Sequence, residues 1–231
     1  MPERVAVVTG GAGAIGTSTA TALRETGHRT VILDRAADAD VACDLSSEAS
    51  ARAAAATVLE RHGRCDVLVH CAAVFDRAAI GDLDAATWRR VQAVNVESAL
   101  WLVQAFAPGM AQRRSGRIVF IVSDTVWAPP NPAMLAYIAS KGALLGIMRT
   151  LAVTLGPDGI GVSAVAPGLT DTPDARARNS DEHFDGVVRG QALKRPLTPG
   201  DTAAAVAYLV SDAAAAMTGQ VLCTDGGLIM R

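Results

Sequence analysis

Arg4–Gly16 reads RVAVVTGGAGAIG, and the fold turns on how this stretch is read. A β-branched run, Arg4–Thr9, stops at Gly10-Gly11, and an alanine-rich helical stretch begins by Ile15. Glycines at such a strand-to-helix turn permit a tight reversal. They also let backbone N–H groups approach an anion at the helix N-terminus, where the dipole favours negative charge. Gly11-Ala-Gly13-Ala-Ile-Gly16 matches G-x-G-x-x-G, which signals dinucleotide binding when a strand precedes it and a helix follows. Thr30–Asp34 (TVILD) supplies the next strand and ends on a carboxylate. An acid at that place accepts hydrogen bonds from adenosine ribose hydroxyls and repels a 2′-phosphate. Asp34 therefore points to NAD over NADP, while Arg35 beside it offers a phosphate partner.

The alternation continues along the chain. Helical patterns cover Ile15–Thr26, Ser47–His62, about Ala85–Arg113, Leu135–Leu155 and Thr202–Ser211. Strand patterns cover Val67–His70, Arg117–Val122, Val162–Ala166 and Gln220–Thr224. The strands are continuous apolar runs, as expected of a parallel sheet covered on both faces. Repeated β-α order predicts a doubly wound α/β fold, one domain over residues 1–231. Pro173–Pro196 is charged and aperiodic, and a long irregular excursion of that kind predicts a lid at about 173–196.

Composition removes several classes of function. With 21 Lys+Arg against 23 Asp+Glu, no electrostatic footprint for nucleic acid is present. At 50% hydrophobic residues the chain can bury a core, which excludes disorder. Gly142–Gly156, the longest apolar stretch, is broken by Arg149 and reads as too short to cross a bilayer. Met1-Pro-Glu-Arg4 runs directly into a strand, without a secretory signal. Cys43, Cys65, Cys71 and Cys223 are scattered, with no C-x-x-C pair or neighbouring histidine. They read as reduced thiols of a cytoplasmic protein with no metal site. His28, His62, His70 and His183 show no triad-like arrangement, so serine-hydrolase chemistry is not expected.

Together these motifs resemble the classical short-chain dehydrogenase/reductase family over essentially the whole chain. The family's T-G-x-x-x-G-x-G falls on Thr9, Gly10, Ala14 and Gly16, so Ala14 stands where glycine is usual and requires a negative φ. Its adenine-contacting Asp resembles Asp44, followed by Leu45; its N-N-A-G segment is replaced by His70-Cys71-Ala72-Ala73. Its helical Asn matches Asn95, its Y-x-x-x-K matches Tyr137 and Lys141, and its upstream Ser matches Ser123. Pro167-Gly168-Leu-Thr-Asp-Thr172 looks like its P-G-x-x-x-T, and Thr218-Gly-Gln220 with Asp225-Gly-Gly227 like its C-terminal signature. The resemblance implies a Rossmann fold and a homotetramer. It places the cofactor against Gly10, Gly13, Ala14, Ile15, Gly16, Asp34, Arg35, Asp44, Leu45 and Cys71–Ala73, with Tyr137, Lys141, Pro167, Gly168, Thr170 and Thr172 at the nicotinamide end. Only nine residues separate Asp34 from Asp44, where the family usually fits a helix. That helix should be missing and the adenine end more open.

Tyr137 and Lys141 are four apart in a helical run, which puts both side chains on one face. A free phenol near pKa 10 is ionised in only about a thousandth of molecules at pH 7. Positive charge from Lys141 and an oxidised nicotinamide is expected to lower that value, making Tyr137 a general acid or base. Ser123, ending a buried strand, would hold the substrate oxygen, with Asp124 and Thr125 as alternatives. By resemblance, Lys141 grips the nicotinamide ribose and Asn95 supports a water relay to it.

Val126, Trp127, Pro129, Pro130, Pro132, Met134 and Leu135 read as an apolar pocket wall. That predicts NAD-dependent interconversion of an aromatic or alicyclic secondary alcohol and its ketone. The alternatives are a 3-oxoacyl-carrier-protein reductase, a dihydrodiol dehydrogenase and, outside enzymes, a dinucleotide-binding sensor. The extended apolar surface of Ser98–Phe106 and Gly142–Leu155 adds to the expectation of self-association.

Overall fold

A computed structural model describes residues 3–230. Met1 and Pro2, with which the leader-free reading of the N-terminus begins, lie outside the described residues. Seven parallel strands form one sheet: β1 (Arg4–Thr9), β2 (His28–Asp34), β3 (Val41–Ala42), β4 (Val67–His70), β5 (Gly116–Ile121), β6 (Ile160–Pro167) and β7 (Val221–Thr224). Their order is β3-β2-β1-β4-β5-β6-β7, which reverses direction between β1 and β4. In an open α/β sheet the crevice at such a reversal, beyond the strands' carboxyl ends, is where ligands bind.

The period of two explains how both faces are covered. Val5, Val7, Leu68, Ile118 and Phe120 point into a core shared with α2 (Glu48–His62), α4 (Ser98–Arg113) and α5 (Leu135–Leu155). Their neighbours Ala6, Val8, Val67, Val69, Val119 and Ile121 point the other way, against α1 (Ala14–Glu25) and α8 (Pro199–Val210). With both faces buried, the central positions of β1, β4 and β5 are apolar on both sides, which is why the runs carry no alternation.

Several elements depart from the sequence expectations. The run at 85–113 is three pieces: α3 (Ala85–Gln92), a π-helical turn (Ala93–Glu97) and α4. β6 is longer at both ends than Val162–Ala166. α8 begins at Pro199, not Thr202, because Thr198 and Asp201 form a capping box ahead of it. The stretch expected to form a lid holds two helices, α6 (Pro173–Arg178) and α7 (Asp181–Gly190), each capped by a hydroxyl, Thr172 and Ser180. With its flanking turns, the apolar helix runs Pro132–Asp158 and is by length and composition long enough to cross a membrane, contrary to the shorter reading. Here it lays Leu144, Leu145, Met148 and Ala152 on the sheet. Between Asp34 and Val41 no helix forms, as the short spacing predicts.

Candidate active site

The glycine turn is set by close packing. Gly10 takes φ +63°, and a Cβ there would lie 2.7 Å from the Ala72 Cα. A Cβ on Gly16 would fall 2.1 Å from the Gly10 carbonyl oxygen, so only glycine lets α1 start this close to the strand end. Ala14 is the first residue of α1, and it is not among the residues with positive φ, so its methyl is accommodated. Asp34 ends β2 beside this turn: its Oδ2 accepts from Ala12 N at 3.1 Å and its Oδ1 from Ala36 N at 3.2 Å. Each oxygen retains acceptor capacity for a ribose hydroxyl. The Asp44 Oδ1 accepts from Ser46 N (3.0 Å) and Ser46 Oγ (2.8 Å). Those bonds, with the exposed Arg35 nearby, hold its carboxyl below the usual range.

At the far end, β5 delivers Ser123 and α5 delivers Tyr137 and Lys141. The Ser123 hydroxyl donates to Asp124 Oδ1 at 3.3 Å and accepts from Thr125 Oγ1 at 2.9 Å, and its side chain works to lower the Tyr137 pKa. Lys141 is fully buried and its Nζ donates to the Ile121 carbonyl at 2.7 Å. Burial lowers its pKa to about 8, which still leaves most of the ammonium charged at neutral pH. That nitrogen lies 5.6 Å from the Tyr137 ring centroid. The phenol itself is pushed up to about 12, chiefly by burial, against the lowering expected from charge. Desolvation outweighs the lowering by Ser123, so Tyr137 stands as a protonated acid at neutral pH.

Asn95 is used differently from the other three. Fully buried in the π-turn, its Oδ1 accepts from Val74 N at 2.8 Å. Its Nδ2 donates to the Val74 carbonyl (3.1 Å) and Ser140 Oγ (3.0 Å). Both amide protons are spent, and the side chain does not line the cleft. It ties the segment after β4 to α5. Histidine in place of the usual asparagine at position 70 is also explained: Thr9 Oγ1 accepts from Cys71 N and Ala72 N, leaving its proton for His70 Nδ1, 3.1 Å away. Burial, with Lys141 nearby, drives this ring's pKa down to about 3, so it is neutral.

A single cleft of about 1670 Å³ joins these ends. Sites for drug-sized ligands occupy roughly 300–1,000 Å³, so there is room for a dinucleotide and a substrate. Gly10, Gly13, Ala14, Ile15, Gly16, Asp34, Arg35, Asp44, Leu45, Cys71, Ala72, Ala73, Pro167, Gly168, Thr170 and Thr172 all line it, with Ser123, Tyr137 and Lys141. Of the expected apolar wall, Pro129, Pro130 and Met134 face the cleft. Val126 and Trp127 pack on the core instead, and neither Pro132 nor Leu135 borders the cavity. Missing from the sequence reading were Phe75, Arg77, Arg90 and the lid residues Arg178, Asn179 and Val187. Arg176 stitches the lid: it forks onto Asp171 (2.7 Å), bonds Asp181 (2.7 Å) and lies 3.9 Å over the Phe184 ring. For Arg178, Asn179 and Val187 the signal in the sequence is their place in a charged, aperiodic stretch; Phe75, Arg77 and Arg90 carry none.

Comparison with known proteins places this architecture. Residues 10–229 match the sequence model of the enoyl-(acyl carrier protein) reductase family. The chain is 32% identical to the short-chain reductase protein NovJ of Streptomyces niveus, covering 97% of this chain and 94% of that one. It is 35% identical to cis-4-hydroxycyclohexanecarboxylate dehydrogenase of Sinomonas cyclohexanicum, covering 97% and 96%. The crystal structure of gox2181 superposes with a TM-score of 0.92 at 32% identity, over 99% of this chain and 96% of that one. Members of this group that act as dehydrogenases use nicotinamide dinucleotides, and the glycine turn fits such a group because Gly10, Gly13 and Gly16 line the cleft where α1 begins. With a match over nearly its full length in sequence and in fold, the chain belongs to the classical short-chain dehydrogenase/reductase family of oxidoreductases.

Proposed function

We propose that the chain is an NAD-dependent dehydrogenase interconverting a ring-bearing secondary alcohol and its ketone. The observation that carries this reading is one cleft with Asp34 and the glycine turn at one end and Ser123, Tyr137 and Lys141 at the other. The nicotinamide, when bound, supplies the hydride acceptor or donor. Ser123 orients the substrate oxygen beside the phenol. Tyr137 gives its proton to a carbonyl, or takes one from an alcohol, and the Lys141 charge stabilises the phenolate that results. The protonated Tyr137 of the free protein is ready for ketone reduction. Oxidation needs more positive charge beside it. Asp34 supports NAD by repelling a 2′-phosphate, with Arg35 beside it on the same cleft as a counter-charge.

Pro129, Pro130, Met134, Val187, Leu228 and Ile229 make much of the substrate wall apolar, which favours a carbocycle. Similarity to a dehydrogenase named for a hydroxycyclohexanecarboxylate supports the same class. A cytoplasmic homotetramer fits the reduced thiols of Cys43, Cys65 and Cys71 and the exposed apolar face of α5, where Val153 is 79% exposed. Light scattering that finds only a 23.8 kDa species at micromolar concentration refutes the tetramer. A panel of ketones and alcohols with NAD(H) and NADP(H), followed by nicotinamide absorbance, tests the activity. Turnover of cyclic alcohols with NAD is expected. Preference for NADPH and 3-oxoacyl thioesters would replace this reading with a carrier-protein reductase.

A further inference from the structure

Besides Arg35 beside Asp34, three arginines line the cleft, Arg77, Arg90 and Arg178, and their charges are not spent equally. Arg90 is paired with Asp76. The Arg77 guanidinium bonds the Arg178 carbonyl (3.3 Å) and Asn179 Oδ1 (3.0 Å), both neutral acceptors. Arg178 touches Asp174 only at 3.5 Å, with the two side chains 43% and 84% exposed. An ion pair so long and so wet cancels little charge. Arg176, two residues earlier, shows the contrast, since Asp171 and Asp181 both engage it. Hence Arg77 and Arg178 keep free charge where the lid meets the body.

Their position relates them to the chemistry. Both guanidiniums sit by the same ring, Cζ of Arg77 5.4 Å and Cζ of Arg178 5.5 Å from the Phe75 centroid. Phe75 in turn is 4.6 Å, edge to face, from Tyr137. Each cation is therefore at most on the order of 10 Å from the phenol ring, with an aromatic surface between. Hydride transfer from a neutral alcohol, or to a neutral ketone, has no use for positive charge there. A ring with a hydroxyl at one end and an anion at the other would use all three features.

We infer that Arg77 and Arg178 bind a carboxylate on the substrate, which makes the substrate a cyclic hydroxy acid. This inference rests on the dehydrogenase reading and narrows it. The secondary hydroxyl lies at Tyr137 and Ser123, the ring packs on Phe75, and the carboxylate lies between the two guanidiniums. Planar five-donor forks suit a two-oxygen anion better than ammonium groups do. Arg77 follows β4 on the body and Arg178 belongs to α6 in the lid. One carboxylate thus bridges the two and holds the cleft shut over the reacting carbon.

The test compares 4-hydroxycyclohexanecarboxylate with its methyl ester as substrates with NAD. The acid should be favoured in kcat/KM by about tenfold or more, the scale of a charge-assisted hydrogen bond. Arg77→Gln and Arg178→Gln should each bring that ratio towards one, and Arg178→Lys should retain part of it. Thermal melting verifies that the variants fold. A second arm needs no turnover: calorimetry of cyclohexanecarboxylate and cyclohexanecarboxamide binding to the NAD-loaded protein, where the acid should bind about tenfold tighter or more. An ester oxidised as well as the acid, or a ratio unmoved in both Gln variants, overturns the carboxylate site and leaves the dehydrogenase reading standing. If neither alcohol reacts, it is the dehydrogenase reading that suffers, and calorimetry decides the site. Equal binding of acid and amide overturns it.

Discussion

Replacing Lys141 with methionine should make the protein more stable and inactive in one step. Lys141 is 1% exposed, and burial takes its pKa from 10.5 to about 8. At about 1.4 kcal/mol per unit, holding the ammonium inside at neutral pH costs about 3 kcal/mol. Between pH 8 and 10.5 the unfolded chain binds more protons than the folded one at this site, so stability rises with pH through that window. Below pH 8 the full cost is present; above 10.5 none remains. Methionine has a similar stem and no charge, but it leaves the Ile121 carbonyl without its 2.7 Å donor, a loss of about 1 kcal/mol. The variant should therefore be about 2 kcal/mol more stable than wild type at pH 7 and about 1 kcal/mol less stable near pH 10.5. Urea denaturation of both cofactor-free proteins at the two pH values measures this, since other titrating groups cancel in the difference. A variant less stable at pH 7, or a difference that ignores pH, refutes the account of a charge held at a cost for function.

Tyr137→Phe should lower kcat by about a hundredfold or more while the NAD dissociation constant moves only a few-fold, as single-turnover assays and titration would show. Retention of a tenth of wild-type kcat removes Tyr137 from proton transfer. Wild type should prefer NAD over NADP by about tenfold or more in kcat/KM, because like charges about 4 Å apart cost about 4 kcal/mol at an effective dielectric of 20. Asp34→Ala should narrow that preference, and equal wild-type use of NADP would refute the role given to Asp34. Gly16→Ala drives a methyl to 2.1 Å from the Gly10 oxygen, so calorimetric NAD binding should fail and the melting temperature fall; normal binding would show that the turn is looser than described.

What could be read from the sequence were features that repeat a strong local rule. RVAVVTGGAGAIG is legible because a strand, a cluster of glycines and a helix follow one another within one short stretch, and Tyr137 and Lys141 because helical spacing alone sets them side by side. β3 was missed because two residues carry no period. The π-turn at 93–97 was missed because apolar spacing continues through it. The fate of Asn95 depended on Val74 and Ser140, which are distant in sequence and give no local hint. The rise of the Tyr137 pKa was hidden for a related reason: charge is visible in a sequence, but burial of a particular hydroxyl is a property of the assembled fold. Asp66 shows the same limit. It joins Arg64, Arg113 and Val5 N at the opposite edge of the sheet, and no pattern in the chain announces that cluster.

Arg176 has a mechanical consequence. One guanidinium grips the residue two places ahead of α6, the first residue of α7 and the face of a buried ring within α7. The cover of the cleft is in effect a plate with its stiffener built in. Any opening motion must carry both helices together, so it costs the contacts between plate and frame, such as those of Arg77 with Arg178 and Asn179, and leaves the plate's own bonds whole. Product escape then resembles a door on a latch more than a thread unravelling. Amide exchange in α6 and α7 would quicken and slow in step, and would follow the latch instead of the helices' own stability.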